Sequence, residues 1–390
     1  MGRRLLDRRI VSVALLVQFA VVAAQAAGAE ALVPLRPHPA NIPWPTERWS
    51  QGRLPEGLDR AAFDLHVEAL FAPRGRGGFQ DTRALLVVQA GRLIYERYAD
   101  GFGSDSLFQS WSMAKSITNF LVGVLVEQGR LDPTAPTGVP EWQALDDPRR
   151  EITLAHLLEM RSGLDNADGF GSGNLMTAFI TRMIFGEGSR APGSYAANTQ
   201  LVHPIGRHWD YSTGSSVLLS RICGQQIGGG AEGTRDFLER HLLTAIGMSS
   251  GQPEFAASGE FIGGVFFHAR ARDWARFGYL YLRDGVWDGR RILPDGWVDY
   301  TRTPNAAENN EVYGAHFWLN REPEEGQWRV LPGAPASTFA AEGASFQMVA
   351  IVPTMDLVAV RLGEIQPGSF PEVKEPFGAL IAAFPEVEAR

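Results

Sequence analysis

Two hydrophobic rhythms alternate along the chain, and their order suggests an architecture. Leu58 to Phe71 has helical spacing. Ala84-Leu-Leu-Val-Val-Gln then has strand character, Ala90-Gly91 supplies a tight turn, and Arg92-Leu-Ile-Tyr-Glu-Arg-Tyr is its hairpin partner. From about Ser112 to about Gly247 the pattern is mostly helical, broken by glycine-rich loops, the longest from about Asp165 to His208. A loop of that length inside a compact domain is usually functional. Strand character returns at Phe261 to Phe267 and at Ser345 to Val352, which Pro353-Thr-Met-Asp joins to Leu357-Val-Ala-Val-Arg. Phe377 to Phe384 reads as a closing helix. Strands near both ends with helices between them predict an α/β (α+β) fold. One antiparallel sheet is built from the N- and C-terminal segments and flanked by helices, with a mainly helical subdomain inserted at about 112–247.

The first 27 residues follow a third pattern. Arg3, Arg4, Arg8 and Arg9 precede an almost wholly apolar stretch, Ile10 to Ala27, that ends in small residues. A basic start, an apolar middle and a small-residue exit are expected of a cleaved secretory signal peptide, with a retained membrane anchor as the alternative. Residues 28–57 follow as an extended, proline-rich arm, and 58–390 as the folded domain. The expected location is therefore the periplasm or the medium, with no membrane association after cleavage. Cys223 is the only cysteine, so no internal disulfide is possible. Its apolar helical setting, Val217-Leu-Leu-Ser-Arg-Ile-Cys-Gly, marks it as a buried structural thiol.

Composition narrows the choice of function. With 45% hydrophobic and 21% charged residues the chain is globular, and no internal repeat is visible. The formal net charge is -8, without a basic stripe beyond the first ten residues, which argues against a nucleic-acid partner. The eight histidines show no H-E-x-x-H or similar pairing, so neither a metal nor another cofactor is expected. Gly228-Gly-Gly-Ala-Glu-Gly matches a dinucleotide fingerprint in letters, but it follows a helix and reads as a loop. No G-x-S-x-G elbow is present. The sequence carries no signal of oligomeric state.

The candidate chemistry lies in Phe108-Gln-Ser-Trp-Ser-Met-Ala-Lys-Ser-Ile-Thr-Asn-Phe-Leu. Ile117, Leu121, Val124 and Leu125 share a helical face and Gly129 ends the run, which sets Ser112 at the helix start. Free N–H groups and the positive dipole end favour a developing alkoxide there. Lys115 is one turn on and within reach of the Ser112 hydroxyl. A serine hydroxyl is a poor nucleophile until a base takes its proton, and a neutral lysine can be that base. Of 36 basic residues only Lys115 and Lys374 are lysines. A chain that uses arginine almost everywhere has lysine where a titratable amine is needed. Two further elements fit the same chemistry. Tyr211, in Trp209-Asp-Tyr-Ser-Thr, stands at a loop-to-helix junction, where its phenol can relay a proton or protonate a leaving group. Phe339-Ala-Ala-Glu-Gly-Ala-Ser precedes the long C-terminal strand, and the N–H of Ala344 can pair with that of Ser112 as an oxyanion hole.

These elements, in this order, resemble the serine β-lactamase and penicillin-binding-protein family on its class C side. Ser112-Met-Ala-Lys115 resembles its S-x-x-K, Tyr211-Ser-Thr213 its Y-x-N, and Ala341-Glu342-Gly343 its K-T-G strand. Ile152-Thr-Leu-Ala-His-Leu-Leu-Glu-Met-Arg-Ser-Gly-Leu resembles the stretch after the nucleophile helix. Within the family, Ser110-Trp-Ser-Met-Ala-Lys-Ser and Met160-Arg-Ser-Gly-Leu-Asp are most similar to aminohexanoate-dimer (nylon-oligomer) hydrolases and their esterase-like relatives. The resemblance implies a β-lactamase/transpeptidase-like fold and a metal-free acyl-enzyme mechanism. Ser112 attacks, Lys115 and Tyr211 move protons, Ser112 and Ala344 form the oxyanion hole, and Thr213, Glu342 and Gly343 meet a small ester or amide substrate. Two departures weaken a β-lactamase or D-Ala-D-Ala peptidase reading. Thr213 replaces the amide-holding asparagine, and Ala341 beside an acidic Glu342 replaces the carboxylate-binding lysine. A penicillin-recognising fold that has lost catalysis and serves as a sensor remains the alternative from another class.

Overall fold

In the computed structural model, residues 32–74, 79–169, 178–305, 307–308, 310, 312–321, 329–365 and 370–387 are described. The expected signal peptide lies outside them. A seven-stranded sheet organises the chain. Its strands are β1 (Ser50–Gln51), β2 (Thr82–Gln89), β3 (Arg92–Tyr98), β4 (Trp318–Leu319), β5 (Phe339–Gly343), β6 (Gln347–Val352) and β7 (Leu357–Gly363). They lie in the order β1-β3-β2-β7-β6-β5-β4, antiparallel throughout except where β1 joins β3 in parallel. N- and C-terminal segments therefore meet at the β2–β7 pair, in the middle of one sheet. The β2–β3 turn takes left-handed φ values at Ala90 (46°) and Gly91 (77°), as a two-residue hairpin with the twist of its strands requires.

Each face of the sheet is covered, which explains why β2, β6 and β7 are almost wholly apolar. Leu85, Val87, Met348, Ala350 and Ala359 pack with Phe63 and Val67 of α1 (Arg60–Phe71). Leu86, Val88, Val349, Ile351, Val358 and Val360 face the larger core. That core holds α2 (Ala114–Glu127), α3 (Thr213–Ile227) and α4 (Ala271–Leu282). Helix α4 lies directly on the sheet because Gly278 has no side chain. A Cβ there would meet Val349 Cγ1 at 2.6 Å and Val358 Cγ1 at 2.8 Å. Helix α5 (Phe370–Ala382) returns to pack beside α1, and starts earlier than the expected closing helix despite Pro376. The expected N-terminal arm, from residue 32 on, is strapped to the domain. His38 stacks on Trp44 at 3.9 Å and bonds the Tyr279 hydroxyl through Nδ1 at 2.7 Å. No helix among the described residues is long and apolar enough to cross a membrane.

Two expected strands differ. Only Phe267–Arg270 is a strand in the Phe261 region. Three of the residues before it give their carbonyls to side chains. Ser220 donates to Phe261 O (2.7 Å), Thr118 to Gly263 O (2.8 Å) and Lys115 to Gly264 O (2.8 Å). Likewise β6 begins at Gln347 and not Ser345. Ser345 and Phe346 have φ of 59° and 56°, and the Arg361 guanidinium donates to both of their carbonyls, at 2.6 and 3.1 Å.

Candidate active site

Ser112 lies in a single 3-10 turn, Trp111–Met113, between a short strand (Leu107–Gln109) and α2. Trp111 has φ +47°, a costly value for a large non-glycine residue, so the surrounding contacts must hold it. Ser110 supplies them. Its N–H donates to Phe267 O (2.8 Å), and its hydroxyl accepts from Phe267 N (3.1 Å). Ser116 is bonded to His316 O at 2.9 Å and buried. Of the three serines in this segment, Ser112 is the one whose hydroxyl faces an amine. Lys115 Nζ lies 3.1 Å from Ser112 Oγ.

Lys115 is buried, and its other two bonds leave it little choice of position. Nζ donates to Thr213 Oγ1 and to Gly264 O, both at 2.8 Å. Burial pushes its pKa down from 10.5 to about 8, and the Asp168 carboxylate opposes the shift. Asp168 is held by Thr213, whose N–H donates to Oδ1 (2.6 Å) and whose hydroxyl donates to Oδ2 (2.7 Å). Thr213 thus links a buried acid to a buried base. Asp168 and Gly264 were missed by sequence reasoning. An Asp in a long polar loop and a Gly-Gly pair give no periodic signal, and only the fold brings them to Lys115. Thr213, expected to meet substrate, is buried with its N–H and hydroxyl both hydrogen-bonded. It opens α3, whose N-cap is Ser212, so its side chain turns toward α2 and not toward the cleft.

Tyr211 packs beside Lys115. Its ring stacks on Trp318 (5.2 Å between centroids), meets Tyr313 edge-on at 5.7 Å, and lies 4.9 Å from Lys115 Nζ. Its hydroxyl interacts with Ser112. Desolvation, then the Asp168 charge, push the phenol upward, and Glu342 adds to this, so the neutral phenol and not the phenolate is present at ordinary pH.

Gly343 closes the other side of the turn. A Cβ on it would lie 2.1 Å from Ser110 O and 3.0 Å from Ser112 N, so only glycine allows β5 to press against the backbone of Ser112. Gly343 is thus a backbone wall, and exposed Ala344 follows it at the open end of β5. Glu342, expected to meet substrate, has a different outlook from its neighbour Ala341. Alternate strand residues face opposite sides. Ala341 takes the α2 side, while Glu342 pairs across with Met348 on the α1–α5 side. There Lys374 of α5 is the charge that favours its ionised form, while burial pushes the carboxyl upward. One of its oxygens, Oε2, is buried with no hydrogen-bond partner among the described residues.

A mixed sheet carrying helices on both faces, with a buried lysine one turn after a serine at its open edge, defines the β-lactamase/penicillin-binding class of hydrolase folds. Residues 67–383 match the model of the Beta-lactamase family, and the chain belongs to that family. It is 26% identical over 300 residues to the 6-aminohexanoate-dimer hydrolase of Paenarthrobacter ureafaciens, covering 65% of this chain and 69% of that protein. A solved Bacillus anthracis structure, provisionally assigned as a 6-aminohexanoate-dimer hydrolase, superposes with a TM-score of 0.65 at 19% identity, over 90% of this chain and 89% of that one. A β-lactamase structure from Mycobacterium bovis gives 0.58 at 16% identity, over 83% and 97%. The chain is thus a β-lactamase-family hydrolase.

Proposed function

We propose that this hydrolase cleaves ester or amide bonds of small acyl substrates through an acyl-enzyme on Ser112. The observation that carries this reading is the buried Lys115 amine 3.1 Å from Ser112 Oγ, with a pKa near enough to neutrality for the amine to act as a base. In acylation the Ser112 proton passes to Lys115 while Oγ bonds the carbonyl carbon. The carbonyl electron pair moves to the oxygen, which the N–H groups of Ser112 and Ala344 receive. As the intermediate collapses, the neutral Tyr211 phenol protonates the departing amine or alcohol, and the proton on Lys115 restores the phenol. In deacylation water gives a proton to the same pair, attacks the acyl carbon, and Ser112 leaves with a proton. The name of the Paenarthrobacter relative makes short linear amides with a free amine one substrate class to test, beside neutral esters. Export through residues 1–27 belongs to the same reading.

A fluorophosphonate probe with short nitrophenyl esters tests it. The label should map to Ser112, and Ser112→Ala should lose both labelling and turnover. A label on Ser110 or Ser116, or turnover that survives in the alanine variant, would refute the reading. Equal or better turnover of penicillins would favour the β-lactamase alternative. No turnover of any substrate with probe labelling intact would favour a sensor.

A further inference from the structure

The loop that delivers Tyr211 carries a second cluster of chemistry-bearing side chains, outside the serine site. His203 and His208 lie with ring centroids 4.1 Å apart, tilted by 32°. Both direct Nε2 at the same carboxylate oxygen, Asp210 Oδ2, from 3.8 and 3.5 Å. One ligand atom from each residue falls within 4.8 Å of the others. Among the described residues none of these three side chains has a hydrogen-bond partner outside the cluster. The gaps are long for hydrogen bonds. They are close to the spacing of ligands on one ion, since two donors about 2.05 Å from a tetrahedral zinc are about 3.3 Å apart.

The cluster is also built, because the backbone fixes His203, Asp210 and, between them, Gly206 two residues before His208, independently of the cluster's side chains. His203 N–H donates to Gly163 O (3.1 Å), Gly206 N–H to Arg161 O (2.8 Å) and Asp210 N–H to Met160 O (2.9 Å). The loop is thereby laced along residues 160–163, and Gly163 has no Cβ because one would lie 2.3 Å from His203 O. All three side chains are partly exposed, which leaves further coordination positions to water.

We propose that His203, His208 and Asp210 bind one divalent transition-metal ion of the zinc class, two imidazoles and a carboxylate being the donor set such ions favour. The ion braces the segment that ends at Tyr211. It takes no part in the chemistry at Ser112, so the site stands whether or not the serine mechanism does.

Chelator-stripped full-length protein, wild type and Ser112→Ala, is titrated with zinc chloride against a fluorescent chelator. Both should bind one ion per chain with a Kd of about 1 μM to 10 μM or tighter. His203→Ala, His208→Ala and Asp210→Asn should each weaken binding by about tenfold or more. Saturating zinc should raise the Tm of the wild type by a few degrees and leave the Asp210→Asn melt unmoved. Asp210→Asn conserves volume, so it serves as the deciding variant if either alanine variant melts early without metal. Cobalt(II) should give visible ligand-field bands that Asp210→Asn abolishes. No saturable binding below about 1 mM, or unchanged affinity in Asp210→Asn, would overturn the proposal.

Discussion

Asp168→Asn separates the base from the charge that restrains it. The ammonium of Lys115 and the carboxylate of Asp168 both bond Thr213 Oγ1, at 2.8 and 2.7 Å. They are thus no more than about 5.5 Å apart, the two bonds laid end to end. Both Asp168 oxygens accept from Thr213, the arrangement of an ionised carboxylate. At that distance and an effective dielectric near 20 the attraction is roughly 3 kcal/mol, or about two pKa units on the lysine. Allowing for reorientation of Thr213, removal of the charge should lower the Lys115 pKa from about 8 by about one to two units. Lys115 must be neutral to accept a proton, so wild-type kcat/KM should rise with pH through a limb near 8. In Asp168→Asn that limb should move to lower pH. At pH 7 the neutral fraction would grow from about one in ten to about one half or more, raising the relative rate several-fold if the geometry holds. The stability sign follows from the same shift. Between about 8 and 10.5 the unfolded chain binds the lysine proton and the folded chain does not, so stability rises with pH across that window. The assay is a pH profile of kcat/KM for a neutral nitrophenyl ester, with denaturant melts at each pH. An acid limb that stays in place, or moves upward, would refute the relay from Asp168 through Thr213 to Lys115.

Lys115→Arg keeps a cation but cannot accept a proton, so acylation should fall by about two orders of magnitude or more in single-turnover ester assays. Near-wild-type rates would leave Lys115 an electrostatic role only. Tyr211→Phe should fold normally, since the ring keeps Trp318 and Tyr313. It should lose about one to two orders in kcat, more for amides than for activated esters, whose leaving groups need no proton; equal losses for both would remove the relay. Glu342→Gln should change the stability profile and not substrate preference, because it removes the larger of the two carboxylate charges, Glu342 and Glu375, that favour the Lys374 cation. The wild-type pair opposes folding on both sides of neutrality. Raised Glu342 costs stability as pH climbs from 4.5, and lowered Lys374 recovers it only toward 10.5. Matched neutral, cationic and anionic esters, together with melts, separate the two effects.

What was legible in the sequence was local. The hairpin from Thr82 to Tyr98 shows because its apolar run and Ala90-Gly91 turn sit side by side. Ser112 and Lys115 show because one helical turn joins them. Long-range pairings left no such trace. Asp168 lies 45 residues from Thr213, and Gly264 149 residues from Lys115. Phe261 to Val265 has strand composition, yet the carbonyls of Phe261, Gly263 and Gly264 serve side chains of α2 and α3, and composition cannot tell a ladder partner from a serine, threonine or lysine. The arm beyond residue 32 reads as unperiodic, and its packing on Tyr279, through the His38 hydrogen bond and the rings of His38, Trp44 and Trp49, is announced by no rhythm.

The scarcity of lysine, noticed for Lys115, applies to Lys374 as well. Both are buried, Lys115 beside the buried Asp168 and Lys374 beside the half-buried Glu342. Arginine elsewhere serves as a permanent charge, whereas both lysines occupy places where burial lowers the amine's pKa. This changes the argument about substrate charge. An unpaired Glu342 in the cleft would have repelled an anionic substrate directly. Facing α5 and beside Lys374, it adds only a minor charge to the burial and the Asp168 carboxylate that keep the Tyr211 phenol neutral. Discrimination against a β-lactam carboxylate then rests on Ala341, where the resemblance implies a lysine and this chain has a methyl group. A missing attraction weakens anionic substrates without rejecting them, so poor but measurable penicillin turnover fits this site better than complete exclusion.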